Sequence, residues 1–520
     1  MLFTGAVLAF VGAAHAQSNE EDLEYRQLRL KKKQTDKVQV KGRFETEGYA
    51  FDNLDFRAID TSSDQALYDS DDRSSLAFTG AAVELGMNVD DQTRFVAALS
   101  HRGLWGDDNT GKVNAYNSAF YFTNLFGEYK VGDVAKVRVG REYWELGGLG
   151  GAKDYILADV VDQVRVNVKV GDVGHFTFVP VGILGNASRN DRANFVNFTA
   201  GGEAEWEDLY NFNGDRMVRR HGAMFVLDGV SELDLRAYAF YTDIGARGTG
   251  ADITYEGRLG NFADNDWVAN YGLRASYGAG IVTPYATFDL SQGVDRKELV
   301  ARDVDNNGMA FSLGMRVRPE PGDSGPLADV TLFQATGAQY AADGLQTSHG
   351  YTSMKARQVG GMLADRFMGW HPTAYSGSHG IADTPHTIDR RAGMRFAHAA
   401  FGWRVEGFNV MGSWWTFQDT GATELDIDNL QSIDAPFGYS RREFAAQERL
   451  AKTIGHEADL TVGYRLSKAL RISAGGAVLL PGAYYEIPVA RVAGGYEGAR
   501  TSLGGDAMAW AASVGTQLSF

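Results

Sequence analysis

Val164-Arg165-Val166-Asn167-Val168-Lys169-Val170 sets four valines on one face of an extended chain and Arg165, Asn167 and Lys169 on the other. The same period-two design returns in Leu233-Asp234-Leu235-Arg236-Ala237-Tyr238-Ala239, in Met309 to Arg318 and in Ala458 to Leu466. About eighteen such segments follow one another from Val38 onward, each roughly ten residues or longer, the length a tilted strand needs to cross a bilayer. Helical periodicity is scarce.

The connectors alternate in length. Asp90-Asp91-Gln92, Gly132-Asp133, Gly171-Asp172, Asp228-Gly229, Gly278-Ala279-Gly280, Pro319 to Pro326, Glu406-Gly407 and Ser467-Lys468 are short. Between them lie long polar stretches near 58–75, 104–114, 146–155, 186–217, 244–265, 293–307, 342–390, 419–453 and 483–506. A soluble sandwich has no reason to put every second loop on another length scale, whereas an outer-membrane barrel has tight periplasmic turns and extended outer loops. The expected fold is therefore all-β: a single transmembrane antiparallel β-barrel over 38–520, in the bacterial outer membrane. The last strand, Ala507 to Phe520, alternates in the same way and ends in Phe520, which resembles the signal read by the barrel-assembly machinery.

Composition agrees. The chain has 520 residues, 63 glycines, no cysteine and a formal charge of −16. No linkers divide it into the several soluble domains such a length would otherwise imply. The absence of cysteine removes disulfide scaffolds and thiolate chemistry, and the acidic balance argues against a nucleic-acid partner. Met1 to Ala16 reads as a signal peptide with the small-x-small site Ala14-His15-Ala16. Residues 17–37 read as a charged periplasmic leader, acidic at Glu20, Glu21 and Asp22 and basic at Lys31-Lys32-Lys33.

If the apolar half of each strand meets lipid, the other half lines the lumen, and it is rich in arginine. Parity turns Lys41, Arg43, Arg94, Arg102, Lys136, Arg138, Arg165, Lys169, Arg236, Arg274, Arg316, Arg318, Arg404, Arg465 and Arg471 inward, against fewer acids, chiefly Glu45, Glu47, Asp234, Glu457 and Asp459. Arg141 and Arg395 sit where the alternation slips, so bulges decide their side. The negative charge concentrates in the long loops, as in Asp69, Asp71 and Asp72 or Glu203, Glu205 and Glu207. Arginines in a narrow pore favour anions and can hold a carboxylate bidentately, although inward Arg also pairs with inward acids to brace a wall. Tyr116, Phe120, Trp144, Trp267, Trp403, Trp414 and Trp415 are candidates for the interfacial girdles.

Two stretches carry a family resemblance. Ile454-Gly455-His456-Glu457-Ala458-Asp459-Leu460-Thr461-Val462-Gly463-Tyr464, followed by Leu479-Leu480-Pro481-Gly482-Ala483-Tyr484, resembles the penultimate hairpin of the alginate-export family of outer-membrane barrels. Val137-Arg138-Val139-Gly140-Arg141-Glu142 with Asp159 and Asp162-Gln163-Val164-Arg165 is similar to that family's G-R-Q strand and the D-x-x-R pattern after it, with Glu142 in place of Gln. The resemblance implies a monomeric, non-enzymatic channel passing an acidic polysaccharide, with Arg141, Arg165, Glu457 and Asp459 in its lumen. The alternative is a substrate-specific or general porin for small organic acids. A barrel hydrolase would need a Ser or Asp paired with His101 or His221, and a structural or adhesive barrel would need loops filling the lumen.

No cofactor is implied. Asp303-Val304-Asp305-Asn306-Asn307-Gly308 matches the first half of a calcium loop, so Asp303, Asp305 and Asn307 are candidate calcium ligands, but Gly314 replaces the closing Glu. The other reading is an Asn-Gly turn on an acidic loop.

Overall fold

The computed structural model describes residues 38–53, 74–104, 120–146, 155–186, 217–230, 232–244, 254–255, 258–259, 266–295, 304–320, 323–337, 339–340, 346–354, 359–367, 370–375, 393–423, 453–482 and 508–520. The signal peptide and leader expected before Val38 lie outside them.

Eighteen long strands make one sheet. They are β1 (Val38–Asp52), β2 (Ser74–Asn88), β3 (Thr93–Leu104), β4 (Phe120–Val131), β5 (Ala135–Glu145) and β6 (Ala158–Val170). Then come β7 (Gly174–Asn186), β8 (Met217–Leu227), β9 (Leu233–Ile244), β10 (Asp266–Tyr277), β11 (Val282–Asp295) and β12 (Gly308–Val317). The last six are β13 (Gly325–Ala335), β14 (Met394–Val405), β15 (Phe408–Asp419), β16 (Thr453–Arg465), β17 (Leu470–Pro481) and β18 (Ala509–Ser519). Each pairs antiparallel with its sequence neighbour, as in Arg138↔Arg165 between β5 and β6. β1 pairs with β2 and also with β18, in the register Phe44↔Leu518 and Glu47↔Gly515, so the sheet closes and has no free edge.

Polarity sets which way the wall faces. Val139, Leu313, Phe401 and Leu460 are more than half exposed and point outward, alternating with inward polar residues on the same strands. A closed barrel with an apolar outer wall satisfies its backbone bonds internally and is suited to lipid, so this is an outer-membrane β-barrel. No described helix is long and apolar enough to cross a membrane. The short turns need the left-handed backbone at Gly132 (φ 56°) and Gly171 (φ 55°), which glycine adopts without strain.

Among the girdle candidates, Trp403 and Trp414 are about half exposed on the outer wall. Trp144 and Trp415 are corrections to that reading, since both are buried and point inward. On β15 the adjacent tryptophans necessarily take opposite faces, and the period of two sends Trp415 to the lumen. Tyr116 and the side chain of Phe120 lie outside the described residues.

Candidate functional site: the lumen and its inward loops

Most of the predicted arginines do face the lumen, and most hold an acid there. Arg43 binds Glu45 on β1 through Nε at 2.9 Å, and Lys41 reaches Glu84 on β2 at 2.9 Å. Arg138 donates to Glu128 at 2.6 Å and to Glu142, while Arg165 reaches the same Glu142 at 2.8 Å. Arg236 grips Asp234 with Nε and Nη2 at 2.7 and 2.8 Å. Arg274 stands opposite Arg236 in register and lies 6.0 Å from the Tyr238 ring, whose hydroxyl donates to Asp289. Arg316 and Arg318 share Asp329 at 3.2 and 3.8 Å. Arg404 faces inward near the periplasmic end of β14, as do Arg465 and Arg471, which are register partners at the periplasmic end of β16 and β17.

Glu84, Glu128, Glu142, Asp289 and Asp329 are inward acids that the sequence reading passed over. Parity could have found them, because Glu84 stands between Val83 and Leu85, and Asp289 between Phe288 and Leu290. They turn many of the arginines into wall braces. On the described inward faces bases still outnumber acids, because Arg94, Lys136 and Arg220 add to the arginines above.

Arg141 corrects the expectation drawn from the family resemblance. It sits one residue from inward Glu142, so it points to the outer wall, where Nε and Nη2 hold both oxygens of Asp162 at 2.9 and 2.7 Å. Arg395 also faces outward and donates to Gln334 at 2.7 Å. Of the calcium candidates, Asp303 lies outside the described residues. Val304–Asp305 is a short strand paired with the end of β11, and the Asn307 side-chain oxygen accepts from Gly293 N at 3.4 Å. Among the described residues no three His, Cys, Asp or Glu side chains gather as a metal would need.

The feature with no sequence signature is the course of two loops. The connection from β13 to β14 enters the lumen and touches walls on opposite sides of it. On one side Arg220 of β8 donates to Met354 O at 2.8 Å and Asn270 of β10 to Thr352 O at 2.7 Å. Thr352 N in turn donates to Ser291 Oγ of β11 at 3.0 Å. On the other side the connection forms a single helical turn, Met362–Phe367, that rests on β16, β17 and β18. Phe367 packs on Phe51 and Tyr49 of β1 at 4.8 and 5.6 Å between ring centroids. In an eighteen-strand barrel β8 and β17 are half a circumference apart, so this connection bridges the bore.

Glu457 and Asp459 lie under that turn. Leu363 N and Ala364 N donate to the two oxygens of Glu457 at 2.6 and 3.0 Å, and Met362 N to Asp459 at 3.2 Å. Ser413 Oγ completes Asp459 at 2.8 Å. Glu457 is fully buried. The acid pair that the family motif placed in the lumen is there, but it satisfies the otherwise unpaired N–H groups at the start of a short turn rather than facing open solvent.

The connection from β5 to β6 bends in as well. Leu146 O accepts from Arg236 of β9, and Tyr155 packs at 5.1 Å against both Phe333 of β13 and Phe396 of β14. Leu146, Ile156 and Leu157 are buried in one apolar cluster with Leu363, Trp370, Phe396 and Phe417. Burying each such side chain contributes about 1.5–3 kcal/mol, enough for the two loops to be held as a lumen core.

No protein-family model matches the sequence, and no curated protein matches it. Solved structures similar to the chain include Acinetobacter baumannii OccAB4, at 10% identity over 94% of this chain and 99% of that one, with a TM-score of 0.44. Pseudomonas aeruginosa OccK2 (OpdF), crystallised with glucuronate, gives 9% identity over 93% and 98% with a TM-score of 0.45. Pseudomonas aeruginosa OpdK with vanillate gives 9% over 92% and 99% with a TM-score of 0.43. The barrel assignment rests on the chain's own closed eighteen-strand sheet.

Proposed function

We propose that the chain is an outer-membrane channel selective for small organic anions. The bridge from β13 to β14, pinned to opposite walls at Arg220 and Glu457, carries this reading. An acidic polysaccharide needs a continuous bore along its length, and a chain segment tied across the lumen favours small solutes over a polymer. Below the bridge, inward Arg94, Lys136, Arg138, Arg404, Arg465 and Arg471 lie toward the periplasmic ends of their strands, where an excess of fixed positive charge lowers the barrier for carboxylates. A hydrolase receives no support from His221, whose Nδ1 donates to Pro180 O on the outer wall.

Planar-bilayer recording tests the proposal. A salt gradient should give a reversal potential of anion-selective sign, and glucuronate and vanillate should reduce the chloride current at concentrations where neutral glucose does not. Cation selectivity would overturn the reading. Block by polyuronate chains, with no effect of the small acids, would return the polysaccharide alternative.

A further inference from the structure

On the inner wall of β5 and β6, Glu142 is the meeting point of three side chains. Its carboxylate accepts from Arg138, from Arg165 Nη2 at 2.8 Å and from Gln163 Nε2 at 3.3 Å. Arg138 and Arg165 are register partners and would repel; Glu142 between them, with Glu128 on Arg138 Nε at 2.6 Å, balances their charge.

That balance leaves two polar atoms over. Arg165 Nε and Gln163 Oε1 are buried and have no hydrogen-bond partner among the described residues, in residues only 9% and 5% exposed. Buried donors and acceptors are rarely left dry. The two residues are two apart on one strand, hence on the same face, and both side chains bond the same Glu142 carboxylate, which places the spare donor and the spare acceptor beside one ion pair. A hydroxyl satisfies both at once, donating to Gln163 Oε1 and accepting from Arg165 Nε. A second carboxylate has no proton for Gln163 and would be repelled by Glu142, while an ammonium cannot accept from Arg165. Trp144, 5.8 Å from the Arg165 guanidinium, presents an aromatic face beside the pair. Arg138, with 24% of its side chain exposed, uses Nε on Glu128 and Nη1 on Glu142 and so can meet a solute carboxylate only through its remaining N–H groups.

We propose that Gln163 and Arg165 select, among the small carboxylates entering the lumen, those that carry a hydroxyl group, with the solute carboxylate toward Arg138 and its hydroxyl between Gln163 and Arg165. This specificity rests on the organic-anion channel reading above.

The test uses the full chain in planar bilayers and two acids differing by one hydroxyl, lactate and propionate, with relative permeability read from reversal potentials. Wild type should favour lactate by roughly three- to tenfold, the worth of one hydrogen bond in a site that otherwise leaves its partners unpaired. Gln163→Leu should bring the lactate-to-propionate ratio to about one, and Arg165→Lys, which keeps the charge and removes Nε, should do the same. A wild-type ratio near one overturns the inference without any variant, as does a lactate preference that survives both substitutions in protein shown to be folded by heat-modifiable migration. Anion current without lactate preference sinks only this inference, whereas cation selectivity with both salts sinks the channel reading too.

Discussion

Glu457 on β16 and Leu363 in the connection from β13 to β14 are joined by a 2.6 Å hydrogen bond from a backbone N–H to a fully buried carboxylate. The bond holds the loop to the wall at β16, on the side of the bore opposite its other attachment at Arg220 on β8. A motif carried by a transmembrane strand thus acts as a mooring for chain more than ninety residues away in sequence.

Glu457→Gln should loosen that mooring, because one of the two oxygens that accept from Leu363 N and Ala364 N becomes an amide NH2, a donor facing a donor. The expected loss is about 2 kcal/mol of loop docking. Single-channel recordings should show larger or noisier conductance, and limited proteolysis should cut near 355–370 faster than in wild type. Identical traces and identical cleavage would mean that the loop is held elsewhere.

Gly361 offers a second handle on the same contact. Its φ is 103°, and a Cβ there would come within 2.6–2.9 Å of the Glu457 carboxyl group. Gly361→Ala should therefore reproduce the conductance change of Glu457→Gln. Combined with Glu457→Gln it should add little, since both break one junction.

The outer-wall pair Arg141–Asp162 should behave differently from the lumen pairs. Asp162→Leu leaves a cation on a lipid-facing wall and is expected to cost about 1–2 kcal/mol in urea unfolding from lipid vesicles. Replacing both residues with leucine should restore most of that loss. Reversal potential should stay unchanged in each variant, in contrast to Arg138→Gln, which should weaken anion preference.

The barrel seam depends on its last residue. Phe520 N donates to Gly42 O and Gly42 N to Phe520 O, both at 2.9 Å, and the Phe520 ring covers the face where Gly42 lacks a side chain. Gly42→Val should force the ring away and slow assembly into the heat-modifiable form. Assembly at the wild-type rate would show that the ring contact is dispensable.

Asp90, in the turn between β2 and β3, accepts backbone bonds from Gln92 N and Thr93 N at 2.8 and 2.6 Å. These bonds favour the carboxylate and hold its pKa below the ordinary aspartate value. A depressed folded-state pKa means that the stabilisation is present above the unfolded value and is lost as pH falls through the folded one. Asp90→Ala should thus lower stability at neutral pH and narrow its difference from wild type below about pH 3.9. A difference independent of pH would contradict the assignment.

Several of the lumen assignments were legible because a strand side chain has only two directions. Once Val164, Val166 and Val168 are known to face lipid, Arg165 must face the bore, and the same logic reaches Arg236, Arg274 and Arg316 without a structure. Arg141 failed the family analogy for the same reason: Glu142 beside it is inward, and neighbours on a strand cannot share a face. Trp415 obeys the same rule: Trp414 beside it faces lipid, so Trp415 faces the bore although tryptophan is a common girdle residue.

What the sequence by itself determined is the sheet and its sidedness, since period-two alternation and the short-long rhythm of connectors are local properties written strand by strand. Only the tertiary structure decided what fills the bore. Whether Asp329 neutralises Arg316, whether Tyr155 reaches Phe396, and whether Glu457 meets a solute or Leu363 depend on groups brought together from distant strands and loops. Loop docking is driven by apolar burial among such partners, and burial has no period to read along the chain. The −16 of the whole sequence and the basic excess of the inner wall are both correct, because closure of the barrel sorts the charges onto different surfaces.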